Sequence, residues 1–202
     1  VIHGHFDQRL LCEFGRTLQI TLIARRSRMY AGVRFLKRGV NTAGYVGNDV
    51  ETEQVVADLS ATIGAPAQPP MSSLGPLRGS IPLFWSQENK MFEPKPQINI
   101  GRVDPFYTAT VRHFAHLIRR YGMPVMVLNL VKQYEKHPRE SKLNDALNEA
   151  MAAVNHSLPP QLQIPYVSWD WKAAGKRDLK GMIAYMFRIA ERSLDLTGYF
   201  CS

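Results

Sequence analysis

The stretch PVMVLNLV (residues 124–131) sets the fold class of this 202-residue chain. It is the longest apolar candidate in the sequence, yet it falls well short of the ~18 residues that a membrane span requires, so its length is typical of a buried strand. A helical pattern precedes it, beginning at the N-cap and N1 pair Asp104 and Pro105 and ending at Gly122. The stretch therefore predicts a strand that directly follows a helix.

The same alternation continues towards the C terminus. A second helix is predicted from about Ser141, with apolar residues on one face through Val154, and IPYVSWDW (164–171) follows as the next strand. A third helix carries apolar residues from Leu179 to Ala190. Alternating strands and helices predict an α/β fold, in which helices flank a mixed β-sheet.

The first third of the chain is richer in strand-like segments. RTLQITLIA (16–24) carries alternating apolar residues and β-branched positions, and GVRFLKRG (32–39) begins and ends with glycine. Residues 60–77 are rich in Pro, Gly, Ser and Ala, which predicts an exposed, variable loop. We therefore expect a β-rich beginning followed by an α/β remainder.

Charge is the compositional feature that bears most on function. The sequence has 25 Lys and Arg against 17 Asp and Glu, a net charge of +8, whereas its 45% hydrophobic and 21% charged residues are ordinary for a globular protein. The excess favours a polyanionic partner: nucleic acid, an anionic membrane face or a phosphorylated ligand. Cys12 and Cys201 lie at opposite ends, so no disulfide framework is expected.

Much of the positive charge is concentrated in RRSRMYAGVRFLKRGVN (25–41). In an extended segment Arg34 and Arg38 share one face, whereas Lys37 points to the other. Carboxylates in the nearby NDVETEQ (48–54) allow a lattice of ion pairs between strands. Arginines left out of such a lattice would instead form an electropositive wall suited to phosphate oxygens. Both can hold, with some cations paired and others free.

The other candidates for chemistry each have a structural alternative. His113 and His116 have a helical spacing that can bind a metal, but no carboxylate or cysteine matches it, so histidines at the solvent edge of a helix are favoured. Asp170 ends a predicted strand, where it is suited to an acid or cation ligand and equally to capping the next helix. The sequence contains no nucleophile motif, phosphate-binding glycine loop or nucleic-acid-binding motif. The residues alone predict a basic α/β domain with an anion site and no demonstrable catalytic centre.

Five sequence blocks occur in a fixed order along the chain: RRSRMYAGVRFLKRGVN, NDVETEQVV, RGSIPLFWSQ, YGMPVMVLNLVK and YVSWDW. Together they resemble the Sac domain of phosphoinositide phosphatases. They are most similar to its endolysosomal branch, whose members remove the 5-phosphate of phosphatidylinositol 3,5-bisphosphate. The resemblance implies that residues 1–26 end a small β-rich N-terminal subdomain and that residues 27–202 form the first part of the catalytic subdomain.

The resemblance also implies cysteine chemistry. A thiolate attacks phosphorus, an arginine in the same Cys-x5-Arg loop holds the phosphoryl oxygens, and the cysteinyl-phosphate is then hydrolysed. Neither Cys12 nor Cys201 is followed by five residues and an arginine. We therefore expect a fragment of the domain, with the nucleophile loop outside it.

Positions that match the family blocks carry the site predictions. The resemblance implies that five cations contact the phosphates of the substrate: Arg34, Lys37, Arg38, Arg78 and Lys132. Four further residues are implied to support them: Glu51, Glu53, Trp85 and Asn129. Asp170 is a further supporting candidate, and no nucleophile, metal ligand or cofactor is implied.

The implied substrate is a phosphoinositide lipid, reached peripherally at an anionic membrane surface. The implied location is the cytoplasmic face of endosomal, vacuolar or lysosomal membranes. A scaffold protein and a phosphoinositide kinase are implied as further partners, and nucleic acid is not expected. The alternative from another class is a non-catalytic Sac-like scaffold module of a lipid-kinase complex.

Overall fold

A computed structural model describes residues 4–30, 38–62, 68–87, 96–102 and 104–202. The strands and helices in these ranges follow the order β1 (Gly4–Glu13), β2 (Arg16–Arg26), β3 (Val50–Asp58), β4 (Met71–Leu74), β5 (Leu77–Arg78), β6 (Trp85–Gln87), β7 (Ile98–Ile100), α1 (Thr108–Tyr121), β8 (Val127–Asn129), α2 (Glu140–His156), β9 (Tyr166–Ser168), α3 (Trp171–Arg177), α4 (Leu179–Thr197) and β10 (Phe200–Cys201). Of the helices described, none combines the length and apolar character that a membrane crossing requires. Parallel and antiparallel strands together with helices confirm the predicted α/β class.

The largest sheet is antiparallel, with the order β1-β2-β3-β4-β10 and β5 beside β3. β1 and β2 form a hairpin, and its turn at Phe14 and Gly15 has positive φ at both residues. Gly15 (φ 75°) tolerates this conformation because it has no Cβ. The strand predicted over residues 16–24 is thereby confirmed as β2.

The register across β2, β3 and β5 determines which cations share a face. Arg26 lies opposite Val50, and Val50 lies opposite Arg78. Residues that face each other in a sheet point to the same side, so both arginines project from one face, about 10 Å apart at Cα across two strand spacings. Arg25 and Glu51 form the neighbouring pair of this register and therefore point to the other face.

Part of the loop expected over residues 60–77 is strand, which corrects that prediction. β4 pairs with both β3 and β10, and β5 pairs with β3. Backbone N–H and C=O groups form hydrogen bonds between strands whatever side chains the residues carry. The edge of β3 has backbone groups that need partners, and β4 and β5 supply them. Residues 63–67, and most of the strand expected over 32–39, lie outside the described ranges. Strands on both sides of residue 26 belong to this sheet; the subdomain division there stays a prediction.

The main hydrophobic core joins α1 and α2 to the segments around them. Its buried residues are Leu83, Phe114, Leu147, Ala150, Met151, Val154 and Ile164. The first predicted helix begins at Thr108 rather than beside Asp104, although the Asp104 carboxylate still accepts a hydrogen bond from the Ala109 amide (3.0 Å). The second begins at Glu140, one residue before the position expected.

Three side chains of α1 hold the segment between Gly39 and Val50. They donate to three consecutive backbone carbonyls: Arg112 to Thr42 (2.6 Å), His116 to Ala43 (2.9 Å) and His113 to Gly44 (3.2 Å). Because a carbonyl oxygen only accepts, His113 carries its proton on Nδ1, and burial lowers its pKa to about 4. The prediction of a solvent-edge histidine is therefore wrong for His113, whose ring is desolvated under this segment. His116 is half-buried, and its hydrogen bond to Ala43 lies at the exposed edge, as predicted. Helical spacing alone does not reveal a loop that crosses the helix.

Candidate anion-binding cleft

A cleft of about 750 Å³ opens between the sheet face that carries Arg26 and Arg78 and the first turn of α2. The sheet contributes His5, Ala24, Arg26, Val50 and Arg78 to its lining, and the facing wall includes Arg38, Ile81, Trp85, Val131, Glu140 and Leu143. A space of this size is in the range that small-molecule ligands occupy. We refer to it as the arginine cleft.

The opposite face of the sheet carries a lattice of ion pairs. Arg25 contacts Glu51 (Nη1–Oε1 3.1 Å) and Glu53 (Nη2–Oε2 2.6 Å), and Arg120 of α1 also contacts Glu51 (Nη2–Oε2 2.6 Å). The hydrogen bond from Arg25 lowers the pKa of Glu53. Burial and a hydrogen bond donated to Glu51 raise the pKa of Tyr121. Glu51 and Glu53 therefore hold Arg25 and α1 against the sheet and do not face the arginine cleft.

Arg26 follows Arg25 directly, so strand alternation points it the other way, into the cleft. Its Nη2 donates to Asn48 Oδ1 (3.1 Å). Asn48 has φ 55°, a left-handed conformation that Asn adopts more readily than most residues. The neutral amide orients the guanidinium group and leaves its charge in place.

Arg38 reaches the cleft from the facing wall. Its guanidinium lies over the Trp85 ring at 5.5 Å from the centroid, within the range of a cation–π contact. Gly39 (φ 71°) allows this close approach, because a Cβ there would lie 2.7 Å from the Trp85 carbonyl oxygen and 2.8 Å from that of Leu83. The Gly39 amide donates to Ser80 Oγ (2.9 Å), which fixes the backbone beside Arg38.

The three arginines of the cleft are not neutralised by carboxylates. Across the described ranges, the ion pairs within 4.0 Å involve other cations, and none includes Arg26, Arg38 or Arg78. Glu140 also lines the cleft, but its carboxylate is held by Lys132 at 3.3 Å. The cleft therefore presents an excess of guanidinium donors, whose planar fork matches phosphate oxygens.

Lys132 lies behind this wall in an ion-pair cluster. Its Nζ contacts Glu135 (3.0 Å) and Glu140 (3.3 Å), and the hydrogen bond to Glu135 raises its pKa. Burial would raise the pKa of Glu135, but Lys132 and the amides of Arg139, Ser141 and Glu140 outweigh it and lower that pKa to about 2. Lys132 therefore stabilises the start of α2 through its ion pairs with Glu135 and Glu140.

Asp170 and Asn129 bind protein groups rather than facing the cleft. Asp170 accepts hydrogen bonds from the amides of Ala173 (2.8 Å), in the first turn of α3, and Gln133 (3.1 Å). Asp170 therefore caps the N terminus of α3, which is one of the two roles that the sequence predicts for it. Buried Asn129 donates to Asn144 and Tyr166 (both 3.0 Å), which links β8 to α2 and β9.

The structure thus brings three of the site candidates, Arg38, Arg78 and Trp85, into one cleft. Arg34 and Lys37 lie outside the described residues. Sequence reasoning missed Arg26 and Asn48; the signal for Arg26 is its register opposite Val50, which a single sequence does not reveal. Within the described ranges no cluster of His, Cys, Asp and Glu could hold a metal ion. The substrate roles of all these residues remain predictions.

Comparison with known proteins identifies one family. Residues 1–176 match the SacI homology domain. The chain is 45% identical over 202 residues to phosphatidylinositol-3-phosphatase SAC1 of Arabidopsis thaliana, a match that covers 100% of this chain and 22% of the relative. It is 44% identical over 207 residues to polyphosphoinositide phosphatase of Schizosaccharomyces pombe (100% and 25% covered). It is 33% identical over 203 residues to phosphatidylinositol-3-phosphatase SAC1-B of Danio rerio (99% and 31% covered).

The chain belongs to the SacI homology domain family, which confirms the resemblance at the level of the family. Its relatives in that family are named as phosphoinositide phosphatases. The chain spans between a fifth and a third of the length of these relatives, from 22% to 31%.

Proposed function

We propose that the whole protein is a phosphoinositide phosphatase that hydrolyses the 5-phosphate of phosphatidylinositol 3,5-bisphosphate. The observation that carries the proposal is the match of residues 1–176 to the SacI homology domain, with relatives named as phosphoinositide phosphatases. The arginine cleft supports it, because its guanidinium groups suit a phosphorylated ligand. The choice of the 5-phosphate rests on the likeness of the sequence blocks to the endolysosomal branch.

The chemistry implied by the Sac resemblance is nucleophilic. A cysteine thiolate attacks phosphorus, the inositol oxygen leaves, and water hydrolyses the cysteinyl-phosphate. Residues 1–202 contain no cysteine followed by five residues and an arginine, so the contribution we assign to this chain is electrostatic. Its net charge of +8 and the cleft arginines attract an anionic substrate and hold its phosphoryl oxygens.

The site of action in this proposal is the cytoplasmic face of endosomal, vacuolar or lysosomal membranes. The anionic surface, a scaffold protein and a phosphoinositide kinase are the proposed partners. A basic residue near an anionic membrane contributes about 1 kcal/mol to binding, and salt screens it. Co-sedimentation with phosphatidylserine vesicles should therefore weaken steeply between 0.05 and about 0.3 M salt. Binding that ignores salt would contradict peripheral electrostatic attachment.

Product identification with the full-length protein tests the reaction. Short-chain phosphatidylinositol 3,5-bisphosphate should yield free phosphate and phosphatidylinositol 3-phosphate. Phosphatidylinositol 5-phosphate as the product would assign the 3-phosphate instead, the position in the name of the Arabidopsis thaliana relative. Phosphatidylinositol 3-phosphate, offered separately, should be a poorer substrate. Absence of phosphate release from every phosphoinositide would refute the enzymatic proposal.

The second candidate is a non-catalytic Sac-like scaffold of a lipid-kinase complex. Such a scaffold would share with the enzyme the SacI homology domain that residues 1–176 match. The two candidates differ in what the full-length protein does. A scaffold would co-purify with a phosphoinositide kinase and release no phosphate, whereas the enzyme would lose phosphate release when the loop cysteine is replaced by serine.

A further inference from the structure

Resting on the proposed function only in that the whole protein is longer than residues 1–202, we propose that the segment following Ser202 packs against an exposed apolar face of α4. Helix α4 then lies in the interior of the whole domain, between the part of the fold described above and the part that follows. The interface is separate from the arginine cleft, because no residue of α4 lines that cleft in the part of the chain that the structure describes.

Helix α4 has apolar character over a wide arc. At about 100° per residue, the arc from Tyr185 round to Phe187 covers about 200° and contains no charged side chain. A stripe of roughly 100° is enough for a helix to face one core. The charged residues occupy the remaining side: Lys180, Arg188, Glu191, Arg192 and Asp195. A helix with this pattern can pack against two neighbours at once, one on each half of the arc.

One half of the arc already packs against the described fold. It carries Met182, Tyr185 and Ile189, which are half-buried. The Tyr185 ring contacts that of Trp169, with the two centroids 5.0 Å apart. The Met182 sulfur lies 3.1 Å from the position that a Cβ would take at Gly175, so α3 and α4 are in contact there. This half therefore fixes α4 beside α3 and the end of β9.

The other half of the arc is exposed along the whole length of the helix. The side chains of Leu179 and Phe187 are 60% and 67% exposed, and none of the residues of α4 is buried in the described ranges. The exposed apolar residues recur at the spacing of a single helical stripe: Leu179, Ile183, Met186, Phe187, Ala190 and Leu194. We refer to these six residues as the α4 stripe. A contiguous exposed apolar patch of this kind marks an interface.

The charges of α4 do not suit a membrane as the occupant. A helix that lies on an anionic bilayer carries a polar side rich in Lys and Arg. The polar side of α4 instead mixes three basic residues with two acidic ones, all given above. Attraction to anionic lipid through this helix is therefore weak.

The size of the α4 stripe does not suit a second copy of the chain. The helix has 19 residues and is therefore about 28 Å long. With a width of about 10 Å, the stripe offers roughly 300 Å² per chain. A stable dimer buries about 800 Å² per partner, so the stripe alone is too small to hold two copies together.

The segment that follows Ser202 is the occupant that the topology favours. The chain covers 22–31% of the length of its relatives, so most of each relative lies outside the matched region. β10 begins three residues after α4 ends, which places the start of the following segment beside the end of α4. A segment before β1 would start at the opposite edge of the sheet, four strand spacings or about 19 Å away. Consecutive elements are usually neighbours in space, and a short connection costs little entropy.

Crosslinking in the full-length protein tests the proposal. A benzoylphenylalanine in place of Ile183, at the centre of the α4 stripe, should crosslink on illumination to a peptide that lies after Ser202 in the same chain. The matched control is the same side chain in place of Ala184, which is exposed and lies about 100° round the helix on the polar side. The control should give at least tenfold less of that crosslink.

Cysteine labelling gives a second measurement with smaller side chains. In the full-length protein Ile183→Cys should react with a maleimide at least tenfold more slowly than Ala184→Cys. In urea the two should react at the same rate. Mass spectrometry of the labelled peptides separates these sites from Cys12 and Cys201, which are exposed.

The rival occupants give different results. Equal labelling of Ile183→Cys and Ala184→Cys in the folded protein would overturn the proposal, because the stripe would then face solvent. Protection that appears only with phosphatidylserine vesicles would assign the stripe to a membrane. Crosslinks between two chains, or protection that increases with protein concentration, would assign it to a second copy. Either result, or crosslinks confined to residues 1–202, would also overturn it.

Phosphate release by the unsubstituted protein separates this interface from the proposed enzyme. Crosslinks to the segment after Ser202 without phosphate release would keep the interface and refute the enzyme. Phosphate release together with fast labelling of Ile183→Cys would do the reverse.

Discussion

Replacing Glu135 by Gln should remove a large, pH-dependent part of the stability of the helical half of the protein. Glu135 is 7% exposed at its side chain, and its carboxylate accepts three backbone amides at the start of α2 as well as Lys132. Its pKa falls from an ordinary 4.5 to about 2, because those donors outweigh the cost of burial. The glutamine keeps the shape and one acceptor oxygen but loses the charge.

A difference of about 2.5 units between folded and unfolded pKa corresponds to at most about 3.4 kcal/mol at neutral pH. Because the folded pKa is the lower one, this stability is fully present above pH 4.5 and is lost as the pH falls towards 2. Glu135→Gln should therefore be about 2 kcal/mol less stable than the wild type at pH 7. At pH 2.5 the folded carboxylate is still mostly ionised, so about a quarter of the difference should remain, and the rest should be lost only below pH 2.

Urea unfolding followed by circular dichroism at pH 7, 5, 3.5 and 2.5 measures both quantities. Glu140→Gln is the matched control, since Glu140 shares Lys132 but is 46% exposed, and should cost less than about 1 kcal/mol. Equal losses in the two variants, or a Glu135→Gln deficit that persists unchanged at pH 2.5, would refute the assignment of the stability to the buried carboxylate.

Two further predictions concern the segment beside the cleft. Gly39→Ala should destabilise the protein by about 2 kcal/mol or more in urea unfolding. The reason is that the φ of 71° at Gly39 and the carbonyl oxygens at 2.7 and 2.8 Å leave no room for a Cβ. Gly101→Ala is the control: a Cβ there meets nothing within 4 Å, so stability should change by less than about 0.5 kcal/mol. The His113 ring should titrate near pH 4 by NMR. The free energy of unfolding should fall as the pH drops from 6.5 to 4, because only the unfolded state gains a proton in that range. His113→Gln should flatten this dependence of stability on pH, and an NMR titration midpoint near 6.5 would contradict the burial of the ring.

The helical half of the fold could be predicted from the sequence because its signals are local. Apolar spacing and the Gly122 stop define α1, and the second helix begins one residue from its expected start. β4 could not be predicted, since its pairing partners lie in β3 and β10 and its own composition is that of a loop. Tertiary pairing overrides local propensity at such edges.

The candidate cleft was predictable only in part. The excess of arginine predicted both an ion-pair lattice and a free electropositive wall, and both occur. The assignment of each arginine depends on register: Arg25 and Arg26 are adjacent in sequence, yet one faces Glu51 and the other faces the cleft. A single sequence shows that strands alternate but not which strand lies opposite which. Lys132 illustrates the same limit, because its two carboxylate partners lie three and eight residues away.

The pairing of β10 with β4 can form only late in synthesis, because the two strands lie far apart in the sequence. Phe200 pairs with Ser73, and the Ser202 hydroxyl and amide both bond to Met71 across 131 positions of sequence. At about 5–20 residues per second, a ribosome needs roughly 6–25 s to travel from the end of β4 to β10. During that interval the outer edge of β4 has no strand to pair with, and an unpaired edge readily recruits other chains. We therefore expect the interval between the synthesis of β4 and that of β10 to be one in which this edge is open to pairing with strands of other chains.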